Sequence, residues 1–136
     1  MLVVDAGPLY AVAATEDKWH RQCVELLSTA PRPLLVPVLV LTEVSYLLAD
    51  RIGPHAELAF AQSVAAGELV VDPIPESDWD RIAELMQRYL DLPLGLVDAS
   101  VVATAERHGV DTIATLDRRH FGTVRPRHVA GFTLVP

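Results

Sequence analysis

The chain has 136 residues, 51% of them hydrophobic, and a formal net charge of −7. That length supports one hydrophobic core rather than two, and the charge excludes a protein that coats nucleic acid by electrostatic attraction alone. Its longest apolar run, Leu34 to Leu41, is broken by Pro37 and falls far short of the ~20 residues that cross a bilayer, while Met1 to Asp5 lacks the layout of a signal peptide.

Leu2 to Asp5 reads as a first strand, and Gly7-Pro8 turns the chain into a short helix, with Pro8 suited to a first helical position. A second helical pattern runs from about Trp19 to Leu27. Within it Cys23, the single cysteine, reads as a small core residue, which fits a soluble protein of the reducing cytoplasm. Leu34 to Val36 is a short buried strand, after which Pro37 opens a helix through Glu43 and Leu47 that Gly53 terminates. Pro54 to Ala66 gives another helix, closed by Gly67, and Glu68 to Val71 a third strand. Ser77 with Asp80 resembles a capping box opening a helix to about Leu90. Gly95 to His108, stopped by Gly109, is a helix rich in small residues (Ala99, Ala103, Ala105). Thr112 to Thr115 is the fourth strand and Phe132 to Val135 a plausible edge strand. Strands alternate with helices without repeats or Gly/Ser linkers, which predicts an α/β sandwich forming a single domain over residues 1–136.

In a right-handed βαβ crossover, strand C-termini and helix N-termini share one edge of the sheet, and sites collect there. Asp5 closes the first strand, Asp117 lies two residues past the fourth, and Asp98 sits in the first turns of the preceding helix, so three acids from distant segments converge. Glu43 lies further along its helix and must reach back; the geometry permits it in the site without requiring it. Each acid alone has a plainer explanation. Asp5 suits an Asx-turn, Asp98 a helix N-terminus, Asp117 a cap on Asp-Arg-Arg-His, and Glu43 a solvated helix position. Their common edge favours a joint role.

Clustered carboxylates repel one another, and some take up protons unless a cation compensates. Oxygen ligands without a matching His or Cys set select hard ions, so Mg²⁺, or Mn²⁺, is expected. Such an ion lowers the pKa of water and stabilises phosphate oxygens during in-line attack, which makes phosphodiester hydrolysis the natural reaction. Thr115 either fills a strand end or supplies a hydroxyl to an acidic neighbour or to water at the ion. Four of the eleven Lys and Arg residues (Arg118, Arg119, Arg125, Arg127) fall in one stretch with His120 and His128, and no acid follows Asp117. Arg118, Arg119 and His120, directly after a candidate metal ligand, are therefore the candidate contacts to a substrate phosphate.

Four segments in order, Val4-Asp5-Ala6-Gly7-Pro8-Leu9, Leu41-Thr42-Glu43-Val44, Leu96-Val97-Asp98-Ala99-Ser100 and Ile113 to Phe121, resemble the PIN-domain ribonuclease toxins of bacterial toxin-antitoxin pairs, the VapC type. The resemblance spans essentially the whole chain. It implies a PIN-like three-layer sandwich with a parallel sheet ordered 3-2-1-4-5. It also implies a Mg²⁺ site made by Asp5, Glu43, Asp98 and Asp117, with Thr115 in support; this is what assigns Glu43. The implied activity is cleavage of structured cellular RNA, either the sarcin-ricin loop of rRNA or tRNA. A VapB-type antitoxin and a homodimer are expected as partners, the antitoxin lying across Pro8 to Ala14 and Pro37 to Arg51. Many relatives carry a further acid where this chain has His120, which bears on a second metal position. A housekeeping RNA-processing PIN nuclease and a catalytically silent PIN module are the competing readings. A haloacid-dehalogenase-like phosphatase is disfavoured, since it needs a second acid where Gly7 stands.

Overall fold

The computed structural model describes residues 1–136. Five short parallel strands form one sheet: β1 (Leu2–Val4), β2 (Leu34–Pro37), β3 (Val70–Asp72), β4 (Thr112–Ala114) and β5 (Thr133–Val135), in the order β3-β2-β1-β4-β5. This is the order expected from the sequence. β1 is central and flanked on both sides, which is why it reads as the unbroken apolar run Leu2-Val3-Val4, all buried. The chain moves from β1 to β2 on one side and returns to β4 on the other, so the switch point lies between β1 and β4, at their C-terminal ends.

Seven helices flank the sheet: α1 (Ala6–Ala13), α2 (His20–Thr29), α3 (Val38–Arg51), α4 (Pro54–Ala65), α5 (Trp79–Arg88), α6 (Leu96–His108) and α7 (Arg118–Thr123). α6 packs on β1 and β2 with Ala99, Val101, Val102, Ala103 and Ala105 all buried; its small residues let the helix approach the sheet closely. Gly109 ends it in the left-handed conformation (φ 66°) that favours glycine. No helix is long and apolar enough to cross a membrane.

Two local expectations give way. Glu76–Asp78 forms a single 3-10 turn before α5, and Ser77 makes no capping bond, so the Ser77/Asp80 pattern does not act as a capping box. The stretch after Asp117, read as a cap and a basic segment, folds into α7. Six residues are too few to show helical periodicity, and only Phe121 points fully inward.

An ion network sets the far end of α6. Arg81 is buried and binds Glu106 through two bonds of 2.9 and 2.7 Å, and the backbone N–H of Arg127 donates to the same carboxylate at 3.0 Å. Arg107 joins Asp72 to Asp78, and His108 Nε2 lies 3.0 Å from Asp72. Burial pushes Asp72 upward in pKa, but Arg107 and His108 more than reverse it and hold the carboxyl below its ordinary value.

Candidate active site

Asp5, Glu43, Asp98 and Asp117 line one open cleft of about 500 Å³ at the switch point, together with Gly7, Leu47, Arg118 and Arg119. Each acid is delivered by a different segment. Asp5 is the residue between β1 and α1, and its backbone N–H donates to Ala114 O at 2.9 Å, carrying the β1–β4 ladder to the site itself. Gly7 lets α1 approach the chain after β4: a Cβ there would lie 3.2 Å from Leu116. Asp98 is in the first turn of α6, where its carboxylate accepts from the backbone N–H of Gly95 at 3.4 Å. Asp117 caps α7 by accepting from the backbone N–H of His120 at 2.9 Å. Its capping role and its place in the cleft coexist. Glu43 faces the cleft from α3 with its side chain exposed.

Thr115 resolves in favour of the acidic neighbour. It is fully buried, donates its hydroxyl to Asp5 Oδ2 at 2.8 Å, and accepts from the backbone N–H of Asp117 at 3.0 Å. Two of the acids are thereby joined through one hydroxyl. Thr115 N–H donates in turn to Val135 O at 2.9 Å, so β5 braces the same strand end.

The electrostatics match crowded carboxylates. Burial raises the Asp5 pKa from 3.8 to about 6; the charges of Asp98 and Glu43 add to this, and the bonds from Thr115 and Ala6 oppose it. Asp98 is also raised by burial, with Asp117 adding and the Gly95 N–H and His120 opposing. Glu43 is raised by partial desolvation first and then by Asp98 and Asp117. An arrangement that makes ionised carboxylates costly is one that a cation would relieve. Asp98, Asp117 and His120 each bring a ligand atom within 4.8 Å of the other two, and Asp5 and Glu43 line the same space.

The basic stretch divides. Arg118 and Arg119 are exposed at the cleft, with the Arg118 guanidinium donating to Pro136 O. Arg127 is engaged with Glu84 at 2.7 Å, and Arg125 with Gly122 O at 3.1 Å. His120, expected as an RNA contact, stands beside the acids with its side chain 20% exposed: its Nδ1 pairs with Asp117 Oδ2, and its Nε2 is buried without a partner. The signal for that pairing was the three-residue spacing from a helix cap, which only matters once α7 exists.

A second, larger cleft of about 720 Å³ is mainly apolar and lies between α1, α2 and α4, lined by Leu9, Val12, Leu27, Ala59 and Phe60 among others. α1 borders both clefts. α3 contributes Glu43 and Leu47 to the acidic cleft and does not line the apolar one, so the antitoxin surface expected along Pro8 to Ala14 and Pro37 to Arg51 shares only α1 with the apolar cleft.

A parallel 3-2-1-4-5 sheet with acids gathered at the β1/β4 switch point defines the PIN class, and the PIN-domain family matches this chain over residues 2–125. The chain belongs to the PIN-domain family. It is 32% identical over 135 residues to Ribonuclease VapC26 of Mycobacterium tuberculosis, covering 99% of this chain and 100% of that protein. Its fold is similar to M. tuberculosis VapC20, described as a sarcin-ricin loop cleaving toxin, with a TM-score of 0.82 at 21% identity over 96% of this chain and 99% of the other. It is also similar to a chain of a toxin-antitoxin complex from Klebsiella pneumoniae, with a TM-score of 0.69 at 18% identity over 91% and 92% of the two chains.

Proposed function

We propose that this protein is a divalent-metal-dependent endoribonuclease, the VapC-type toxin of a toxin-antitoxin pair, acting on a structured cellular RNA. The observation that carries the reading is the convergence of four carboxylates from four separate segments on one cleft, with three of their pKa values raised by burial and mutual repulsion. The oxygen donors fit a hard cation, and Asp5, Glu43, Asp98 and Asp117 are the residues that would hold it. A bound Mg²⁺ or Mn²⁺ supplies water of lowered pKa and charge stabilisation for phosphate oxygens. The chain's own residues prepare the site: Thr115 fixes Asp5 relative to Asp117, and Arg118 and Arg119 offer positive charge at the rim for the RNA backbone.

The sarcin-ricin loop is the first substrate to test, because the similar VapC20 is described as cleaving it; tRNA is the other. For the partner, the apolar cleft between α1 and α4 suits one face of an amphipathic antitoxin segment. Since α1 borders both clefts, such a segment lies close enough to continue towards the acids.

Purified protein should cleave RNA with Mg²⁺ or Mn²⁺ and lose that activity in EDTA. Asp5→Asn, Asp98→Asn and Asp117→Asn should each reduce the rate by more than the roughly 100-fold typical of losing an outer-shell partner. Mapping of new RNA 5′ ends after brief induction identifies the substrate. Full activity in chelator overturns the reading.

A further inference from the structure

We propose that His120 is a positioning residue that clamps the Asp117 carboxylate in its cleft-facing orientation, rather than a contact to RNA or a ligand in its own right. The inference rests on the metal-site reading above. Both oxygens of Asp117 are held by this one residue: Oδ1 accepts from the His120 backbone N–H at 2.9 Å, and Oδ2 from ring Nδ1. The backbone bond alone leaves the carboxylate free to swing, because the terminal torsion of an aspartate is broad. There is a force to swing it. Glu43 and Asp98 both lie within electrostatic reach of Asp117, so the ionised carboxylates repel one another. The second bond, from the ring, resists that push, and the same Nδ1 lies 3.7 Å from Asp98 Oδ2, so one donor faces two of the acids.

The rest of the ring fits this role. A carboxylate acceptor places the imidazole proton on Nδ1. Nε2 is buried and has no partner in the protein, and with the side chain only 20% exposed little of the ring is open to a substrate. The neighbouring cations do not replace it: the Arg118 guanidinium is turned to Pro136 O, and Arg119 makes no bond to Asp117.

Three variants separate the roles, because the asparagine amide nitrogen falls near the position of Nδ1 and the glutamine amide nearer that of Nε2. Metal affinity is measured by calorimetry with Mn²⁺ and Mg²⁺ in the absence of RNA, alongside binding of an uncleaved RNA and thermal unfolding. His120→Ala should weaken metal binding about ten- to a hundredfold, the range for an outer-shell partner, with RNA affinity unchanged. His120→Asn should recover most of the loss and His120→Gln should not. If alanine does not fold, the asparagine and glutamine pair decides alone, and a crystal structure of the glutamine variant should show Asp117 rotated. Equal metal affinity in Asn and Gln variants, or RNA affinity lost with metal affinity intact, overturns the clamp. Nitrogen coupling to bound Mn²⁺ in the wild type, absent from the alanine variant, also overturns it by showing direct ligation. If the wild type binds neither ion, the metal-site reading fails first and takes the clamp with it.

Discussion

At Asp5, burial moves the carboxyl pKa from 3.8 to about 6, which at about 1.4 kcal/mol per pH unit makes the ionised form cost about 3 kcal/mol in the fold. The folded-state value is the higher one, so the folded protein binds more protons than the unfolded chain between those two pH values. Metal-free stability therefore falls as pH rises from about 4 through 6 and stays low above. Asp5→Asn removes the ionisation while keeping the bond from Thr115. Urea unfolding in EDTA should find this variant about 2–3 kcal/mol more stable than wild type at pH 7.5, with the gain gone by pH 4. A variant no more stable than wild type at pH 7.5 would contradict the burial argument. At this scale Asp5, Asp98 and Asp117 were legible from their places at strand ends and a helix start. Glu43 needed the family resemblance, because its reach depends on how α3 tilts. The role of His120 was hidden, since a ring's direction follows from a helix that the pattern did not show.

Among the elements, α1 has the widest reach. Its first turn contributes Ala6 and Gly7 to the acidic cleft, and its later residues Leu9, Val12 and Ala13 to the apolar one. Across from it stands Phe60 on α4, partly buried in the apolar cleft and not among the residues lining the acidic one. Phe60→Asp places a charge where an apolar partner face would have to desolvate it. Copurification with a co-expressed antitoxin should be lost while RNA cleavage by the isolated protein persists; an intact complex would move the partner to another surface. The apolar cleft shares α1 with the antitoxin surface expected from the sequence, and its opposite wall is α4. Apolar residues on α3 and α4 look alike in sequence, and which helix stands across from α1 is decided by tertiary packing. The pairing of Arg81 with Glu106, 25 residues apart, was illegible for the same reason.

For the whole molecule, a net charge of −7 repels RNA, yet Arg118 and Arg119 sit exposed at the cleft. A local positive rim on an acidic protein brings the backbone in at one place only. Replacing both arginines with alanine should weaken RNA binding and reduce the slope of log affinity against log salt by about 0.7 for each lost phosphate contact. The cut position should not move. An unchanged slope would assign the two arginines to the fold or to the antitoxin. The strand alternation was readable along the chain, but the sheet order came from the resemblance, because three-residue strands carry no label for their neighbours.

Chain order adds a consequence in time. β1 leaves the ribosome early, but its partner β4 follows more than a hundred residues later, and the Thr115–Asp5 bond spans 110 positions. Closing so long a separation is a late event in folding. No growing chain that ends before β4 and α7 can assemble the four acids, so the chain carries no complete acidic site during most of its own synthesis.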